Sequence, residues 1–238
     1  MKKNSLALLL GLAILSLPSC RKVIGHGPVV TEGRNVANFK SIRFDVPGDL
    51  YYTQANEYKI EIQAQENIVG EIETYLVGDE LKIRVSDHTR LRSREDIRIS
   101  ISAPALTGLT LSGSGNVKVM QPYTPANSKL VVSGSGNMTI NRIETGTLDT
   151  KVSGSGELTI FDGVADHEDA DISGSGRIDF LGVQTQTANT RISGSGSVKL
   201  YVTEELNSKI TGSGSVYYKG NPVVNSTVTG SGKVIRLQ

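Results

Sequence analysis

The sequence predicts an all-β chain whose larger part is a parallel β-solenoid, and three observations predict it. A four-residue glycine motif recurs at near-constant spacing. Apolar residues alternate in period two around each copy. Charged residues at equivalent places in neighbouring copies are mostly of opposite sign.

The motif comes first. Ser-Gly-Ser-Gly begins at Ser112, Ser133, Ser153, Ser173 and Ser193, and Thr-Gly-Ser-Gly begins at Thr211 and Thr229. The spacings are 21, 20, 20, 20, 18 and 18 residues, and fourteen of the 26 glycines lie in these seven copies. A period of about 20 residues is that of one solenoid coil. A flexible Gly/Ser linker would lack the flanking Val, Ile and Leu pairs, and a propeller blade needs a longer repeat.

The alternation comes second. Leu109, Leu111, Val117 and Val119 share one parity, and Val132, Met138 and Ile140 repeat it. Successive strand residues face opposite sides, so one parity points inward. Both glycines of each motif fall on that parity, which predicts a corner where two short strands meet with both glycines facing in.

Charge comes third. In a parallel stack, equivalent residues of successive coils become neighbours. Glu157 then lies beside Arg177, and Asp179 beside Lys199. Like charges at that spacing repel by about 1 kcal/mol even in water. A column of Lys151, Asp171, Arg191 and Lys209 alternates in sign over its first three members.

Composition excludes other classes. The chain has 238 residues, one Cys, no Trp and a formal net charge of +1. A single Cys forms neither an internal disulfide nor a Cys-based zinc site. A near-zero charge gives no electrostatic footprint for nucleic acid.

Read in order, the chain opens on a basic Met1-Lys2-Lys3-Asn4, an apolar run from Ser5 to Leu17, and then Leu17-Pro18-Ser19-Cys20. This resembles a bacterial lipoprotein signal, with residues 1–19 removed and Cys20 carrying the lipid. The run is too short to span a bilayer. Residues 20–34 are expected to be a lipidated tether, flexible from Gly25 to Arg34. The absence of Asp at Arg21 favours an outer-membrane anchor of a Gram-negative cell and leaves both faces of that membrane open.

Residues 35–108 read as a β-rich segment. Ile42-Phe44-Val46, Ile60-Ile62-Ala64, Leu81-Ile83-Val85 and Ile97-Ile99-Ile101 alternate, and Pro47-Gly48 and Gly78-Asp79 mark turns. Ile68, Ile72 and Leu76 predict one short helix within Asn67–Leu76. This segment should start the solenoid or cap it, because an uncovered end exposes pairing edges. Residues 109–238 form the repeats.

Several of these segments carry a resemblance. They are Arg34–Ile42, Asp45–Leu50, Tyr58–Ile62 and the Gly-Ser-Gly-Asn units at Gly113 and Gly134. Together they resemble the bacterial family of putative auto-transporter adhesins, head GIN domain, from about residue 34 to Gln238. The resemblance implies a right-handed parallel β-helix and an adhesive role without an established activity. Later units replace the Asn by Glu157, Arg177, Ser197, Ser215 and Lys233.

The candidate binding face is the ladder Ser114, Ser135, Ser155, Ser175, Ser195, Ser213 and Ser231, with Asn116, Asn137 and Tyr217 beside it. Hydroxyls and backbone N–H groups there can present to an anion or a sugar; the plainer account is corner residues with local hydrogen bonds. Tyr217 has outward parity and suits sugar stacking or an end cap. Asp162, Asp166, His167, Glu168, Asp169 and Asp171 form an acidic inter-repeat loop that matches no EF-hand spacing, so it reads as a solvated loop, with calcium as the sharper alternative. Lys82, Arg84, Arg90, Arg92 and Arg94 form a basic cluster suited to anionic glycan or lipid headgroups, or to solvent. No Ser has an evident His/Asp partnership. No catalytic residue, metal or cofactor is expected. The reading is a lipid-anchored, non-enzymatic binding or adhesion module whose partners are the membrane, through its lipid, and a glycan or extracellular protein. The alternatives are a polysaccharide-active β-helix enzyme and a periplasmic scaffold.

Overall fold

The computed structural model describes residues 21–238. The predicted leader and Cys20, the predicted site of lipid attachment, lie outside the described residues.

The N-terminal part runs β1 (Arg21–Ile24), β2 (Val29–Arg34), β3 (Ser41–Asp45), β4 (Asp49–Gln54), β5 (Lys59–Gln65), α1 (Glu66–Val69), β6 (Ile72–Val77), β7 (Glu80–Val85), β8 (Thr89–Arg92) and β9 (Arg98–Ala103). The repeats supply β10 (Gly108–Gly113), β11 (Asn116–Val119), β12 (Asn127–Gly134), β13 (Asn137–Gly154), β14 (Glu157–Gly174), β15 (Arg177–Gly194), β16 (Ser197–Gly212), β17 (Ser215–Lys219), β18 (Val223–Gly230) and β19 (Lys233–Arg236).

From β10 onward every pairing is parallel and each coil stacks on the one before, as a β-solenoid requires. Seven glycine corners bound about six turns, which at ~4.8 Å per layer is a stack of roughly 30 Å. Burial within one coil shows three faces. In residues 157–176 the alternation breaks at Phe161–Asp162, again at Asp166–His167, and at the Ser-Gly-Ser corner. Between breaks, Leu158 and Ile160, then Gly163 and Ala165, then Glu168, Ala170 and Ile172 point inward.

The two glycines of each motif do different jobs, which corrects the expectation that both face in. The second is buried and inward in every copy but the last, where Gly232 is half-buried. A Cβ on Gly156 would lie 2.6 Å from both the Gly136 carbonyl oxygen and Val132 Cγ1. The first sits exposed or half-exposed at the turn with positive φ, +107° at Gly154 and +120° at Gly174. The corner therefore needs glycine once for backbone conformation and once for close packing.

The segment before the repeats both starts and caps the stack. β3 and β4 pair in coil register under β10 and β11, so the solenoid begins before the first Gly-Ser-Gly motif. β7 and β9 pair on the other side of β3 and β4. Spatial order is thus β7/β9, β3/β4, β10/β11, and the chain crosses the β3/β4 layer after Ala103. Thr107 bridges that crossing: its N–H donates to the Lys40 carbonyl at 2.7 Å and its carbonyl accepts from Lys129 N–H at 2.9 Å. The far edges of β7 and β9 are covered by antiparallel β6 and β5. Tyr52 and Tyr123 are buried across this junction, edge to face at 5.9 Å. Burial raises both phenols, Tyr123 to about 12.

Two expectations fail here. The predicted helix shrinks to the single turn of α1, and Ile72–Val77 is strand, paired antiparallel to β7 through a turn at Gly78. The i, i+4 spacing of Ile68, Ile72 and Leu76 crosses Gly70, a weak helix former, and hairpin pairing outweighs it. Nor is Gly25–Arg34 a loose tether: β2 pairs antiparallel with β5 over Val29–Arg34.

Candidate binding surface

The corner serines stand on one exposed ridge, as the ladder predicts. From Ser135 onward their backbone N–H groups are occupied. Ser135 donates to the Gly113 carbonyl at 3.0 Å, and Ser155, Ser175, Ser195, Ser213 and Ser231 each donate at 2.9 Å to the first glycine of the preceding coil. These six N–H groups lock coil to coil and are not free to cradle an anion; from Ser135 onward the ridge presents hydroxyls.

Asn116 and Asn137 lie on the face that follows the corner. Asn137 Nδ2 donates to Asn116 Oδ1 at 3.2 Å, and Asn116 Nδ2 donates to Asp49 Oδ1 at 2.8 Å. Lys118 Nζ lies 2.6 Å from Asp49 Oδ2. Burial works to raise the Asp49 carboxyl, but the hydrogen bonds from Lys118 and Asn116 outweigh it and hold its pKa below the ordinary value. Lys118 and Arg98 each lie 5.1 Å from the Tyr51 ring centre, a cation–π arrangement. Further along the same face the stacked charges pair as expected: Arg177 with Glu157 at 3.6 Å and Lys199 with Asp179 at 2.8 Å. Tyr217 is half-buried there between Lys199 and Ile235.

Beside this amide ladder stands Phe161, 61% exposed at the next bend of the coil. A shallow groove runs between them, lined by Asn116, Lys118, Asn137, Thr139, Glu157 and Phe161. Sequence reasoning did not single out Phe161, although period two gives it the outward parity of Glu157 and Thr159; the exposed doublet Phe161–Asp162 is where the parity resets.

A second amide ladder on the face before the corner was also missed. Asn189 Nδ2 donates to Asp169 Oδ1 at 2.9 Å, Asn207 to Asn189 at 3.2 Å, and Asn225 to Asn207 at 3.1 Å. The signal was present: every member stands four residues before a motif.

The acidic segment is no loop but one winding of a coil, and its carboxylates diverge. Asp162 pairs with Arg142, Asp171 with Arg191 at 3.4 Å, and Asp169 with Asn189 and His167. Glu168 points into the core. Among the described residues no three His, Cys, Asp or Glu side chains converge as a metal site. The basic cluster also divides. Lys82 and Arg84 pair with Glu80, Glu73 and Asp87, whereas Arg90, Arg92 and Arg94 are exposed and have no ion pair among the described residues.

The family model described as "Putative auto-transporter adhesin, head GIN domain" matches residues 38–222. The chain belongs to that family. No functionally curated protein matches it. Among solved structures, a putative adhesin from Bacteroides fragilis is 23% identical, with a TM-score of 0.84 over 90% of this chain and 100% of its own. A putative adhesin from Parabacteroides merdae is 24% identical, with a TM-score of 0.73 over 91% and 99%. A Parabacteroides distasonis protein described as a putative lipid binding protein is 23% identical, with a TM-score of 0.76 over 92% and 100%. At such identities these likenesses establish the shared fold. No helix among the described residues is long and apolar enough to cross a membrane.

Proposed function

We propose that this head GIN protein is a non-enzymatic adhesion module of the cell envelope, held at the outer membrane by a lipid on Cys20, and that it binds a glycan chain in the groove beside Phe161. The exposed Phe161 ring next to the Asn116–Asn137 ladder is the observation that carries this reading. Sugar rings lay their C–H faces on aromatic rings while their hydroxyls exchange hydrogen bonds with amides. The groove is open and repetitive, which suits an extended polymer. Membership of a family described as adhesins supports the adhesive role. Asp169 and Asp171 are engaged with Asn189 and Arg191, and the neighbouring Glu168 is sealed in the core out of a substrate's reach, which favours binding over hydrolysis.

A glycan and matrix-protein screen with the folded chain tests this. The expected outcome is a glycan ligand whose affinity falls about tenfold in Phe161→Ala, the loss of one stacking contact of ~1.4 kcal/mol, with an unchanged melting temperature. Absence of any glycan ligand, or full binding by Phe161→Ala, refutes the groove. Polysaccharide cleavage abolished by Asp169→Asn and Asp171→Asn would favour the enzyme instead.

A further inference from the structure

β1 and β8 form a separate two-stranded parallel ribbon, with Lys22 opposite Arg90 and Ile24 opposite Arg92. Val23 and Leu91, one step along, turn the other way and pack on the core. The outward side therefore carries Lys22, Ile24, Arg90 and Arg92, all exposed, with Arg94 just beyond. None of these four cations has an ion-pair partner among the described residues. Arg21 differs, since it pairs with Glu71. Glu95 and Asp96 follow Arg94 in the chain, after the ribbon has ended.

The ribbon is held rigidly. Arg21 N–H donates to the His88 carbonyl at 2.6 Å and Gly25 N–H to the Arg92 carbonyl at 2.9 Å. Asn67 clamps the turn that follows, donating to the Ile24 carbonyl at 2.9 Å and accepting from His26 N–H at 2.9 Å. Like charges directly opposite on paired strands cost stability. Here Lys22 and Arg90 are fixed in that relation, beside an Ile24 that is 46% exposed. An anionic surface turns that repulsion into attraction and covers the isoleucine.

We propose that this ribbon is a membrane-docking face that seats the solenoid on anionic lipid headgroups. The proposal rests on the Cys20 anchor: Lys22 is two residues further on, at most roughly 7 Å of extended chain. That is within the Debye length of about 8 Å at physiological salt, so these charges feel the headgroups. The lipid on Cys20 would hold the chain at the bilayer, and a basic patch two residues away adds electrostatic attraction that a lipid on a flexible stem does not supply. Docking here also sets the orientation of the molecule, because β1 and β8 lie at the capped end of the stack.

Residues 21–238 hold the whole described core, so the chain without leader or lipid is the sample. It is floated with vesicles of phosphatidylcholine alone and with vesicles enriched in phosphatidylglycerol. Binding is expected only to the anionic vesicles, weakening steeply with added salt. Each cation near the surface is worth roughly fivefold, so Arg90→Gln, Arg92→Gln and Arg94→Gln together should weaken binding about a hundredfold. Equal binding to both vesicle types, or none to either, overturns the proposal independently of the variant. Binding to a soluble anionic polysaccharide but not to vesicles overturns the lipid occupant. The anchor is read separately, from the acyl mass on the full chain extracted from cells. A missing acyl group with intact vesicle binding removes the anchor and leaves the ribbon; the reverse removes the ribbon alone.

Discussion

Glu168 is fully buried inside the solenoid, and neither carboxyl oxygen has a hydrogen-bond partner. Leu148 lies below it and Ala188 above. Its own coil makes room with Gly163, Ala165 and Ala170, where the coil before places Ile143, Thr145 and Thr150. Burial, with a smaller push from the Asp169 charge, raises its pKa from 4.5 to about 8. The sign follows from linkage. Between those values the unfolded chain has lost the proton and the folded chain keeps it, so stability falls as pH rises, by about 1.4 kcal/mol per unit. Above the folded value the loss is complete. Glu168→Gln keeps the shape and cannot ionise. Its stability should match the wild type near the low end of that window and exceed it increasingly toward the high end, in denaturant melts across pH. A constant difference across pH would refute a neutral, dry carboxyl. The inward parity of Glu168 was legible, since it shares the parity of Ile172, but its charge drew it into an apparent acidic loop. Sequence patterns rank residues by polarity, and here register overrules polarity.

At the scale of the element, the Gly-Ser-Gly corner was the most legible feature, yet its internal division of labour was not. Parity alone puts both glycines inside. The positive φ of the first, which lets the chain turn, appears only with coordinates. Substitution separates the two roles. Gly156→Ala forces a methyl group onto Val132 and the Gly136 carbonyl, an overpacking cost of roughly 1–3 kcal/mol. Gly174→Ala puts Cβ 2.6 Å from the Gly154 carbonyl oxygen and adds backbone strain at φ +120°, for about 2 kcal/mol or more. Gly70→Ala is the control: its φ of −66° is helical and a Cβ there meets nothing within 4 Å, so it should be neutral or stabilise by up to ~1 kcal/mol. Urea midpoints rank the three, and a Gly174→Ala midpoint at or above that of Gly70→Ala would contradict the corner's need for glycine. The tether and the predicted short helix were misread for different reasons: β2 is a strand because of β5, a partner no local window contains, whereas β6 is a strand because it pairs with β7 across the two-residue Gly78-Asp79 turn, a local hairpin that outweighs the i, i+4 spacing.

Across the whole molecule the two ends differ. The N-terminal end is capped: antiparallel β5 and β6 cover the outer edges of β9 and β7, and the edges left over belong to the cap strands β2 and β6, not to a solenoid coil. At the other end β18 and β19 pair on one side only among the described residues. Val223 and Val228 are exposed there, 67% and 40%. Lys233 and Arg236 sit on that outer layer, and charges on an open edge discourage pairing between copies. Stability in a stack of coils is close to a sum of nearest-neighbour terms, so a coil with one neighbour opens more readily than a coil with two. Amide exchange should therefore be fastest in Val223–Gly230 and Lys233–Arg236, slowest in β13 to β15, and still slow in β7 and β9 at the capped end. A chain ending after Gly214 should fold and shift the fast-exchanging layer back by one coil, to β16. Removing residues 35–103 should instead abolish folding, since it strips the β3/β4 layer on which β10 and β11 stack. Uniform protection from β10 to β19, or a folded product after the N-terminal deletion, would show that the coils do not depend on their neighbours in this ordered way.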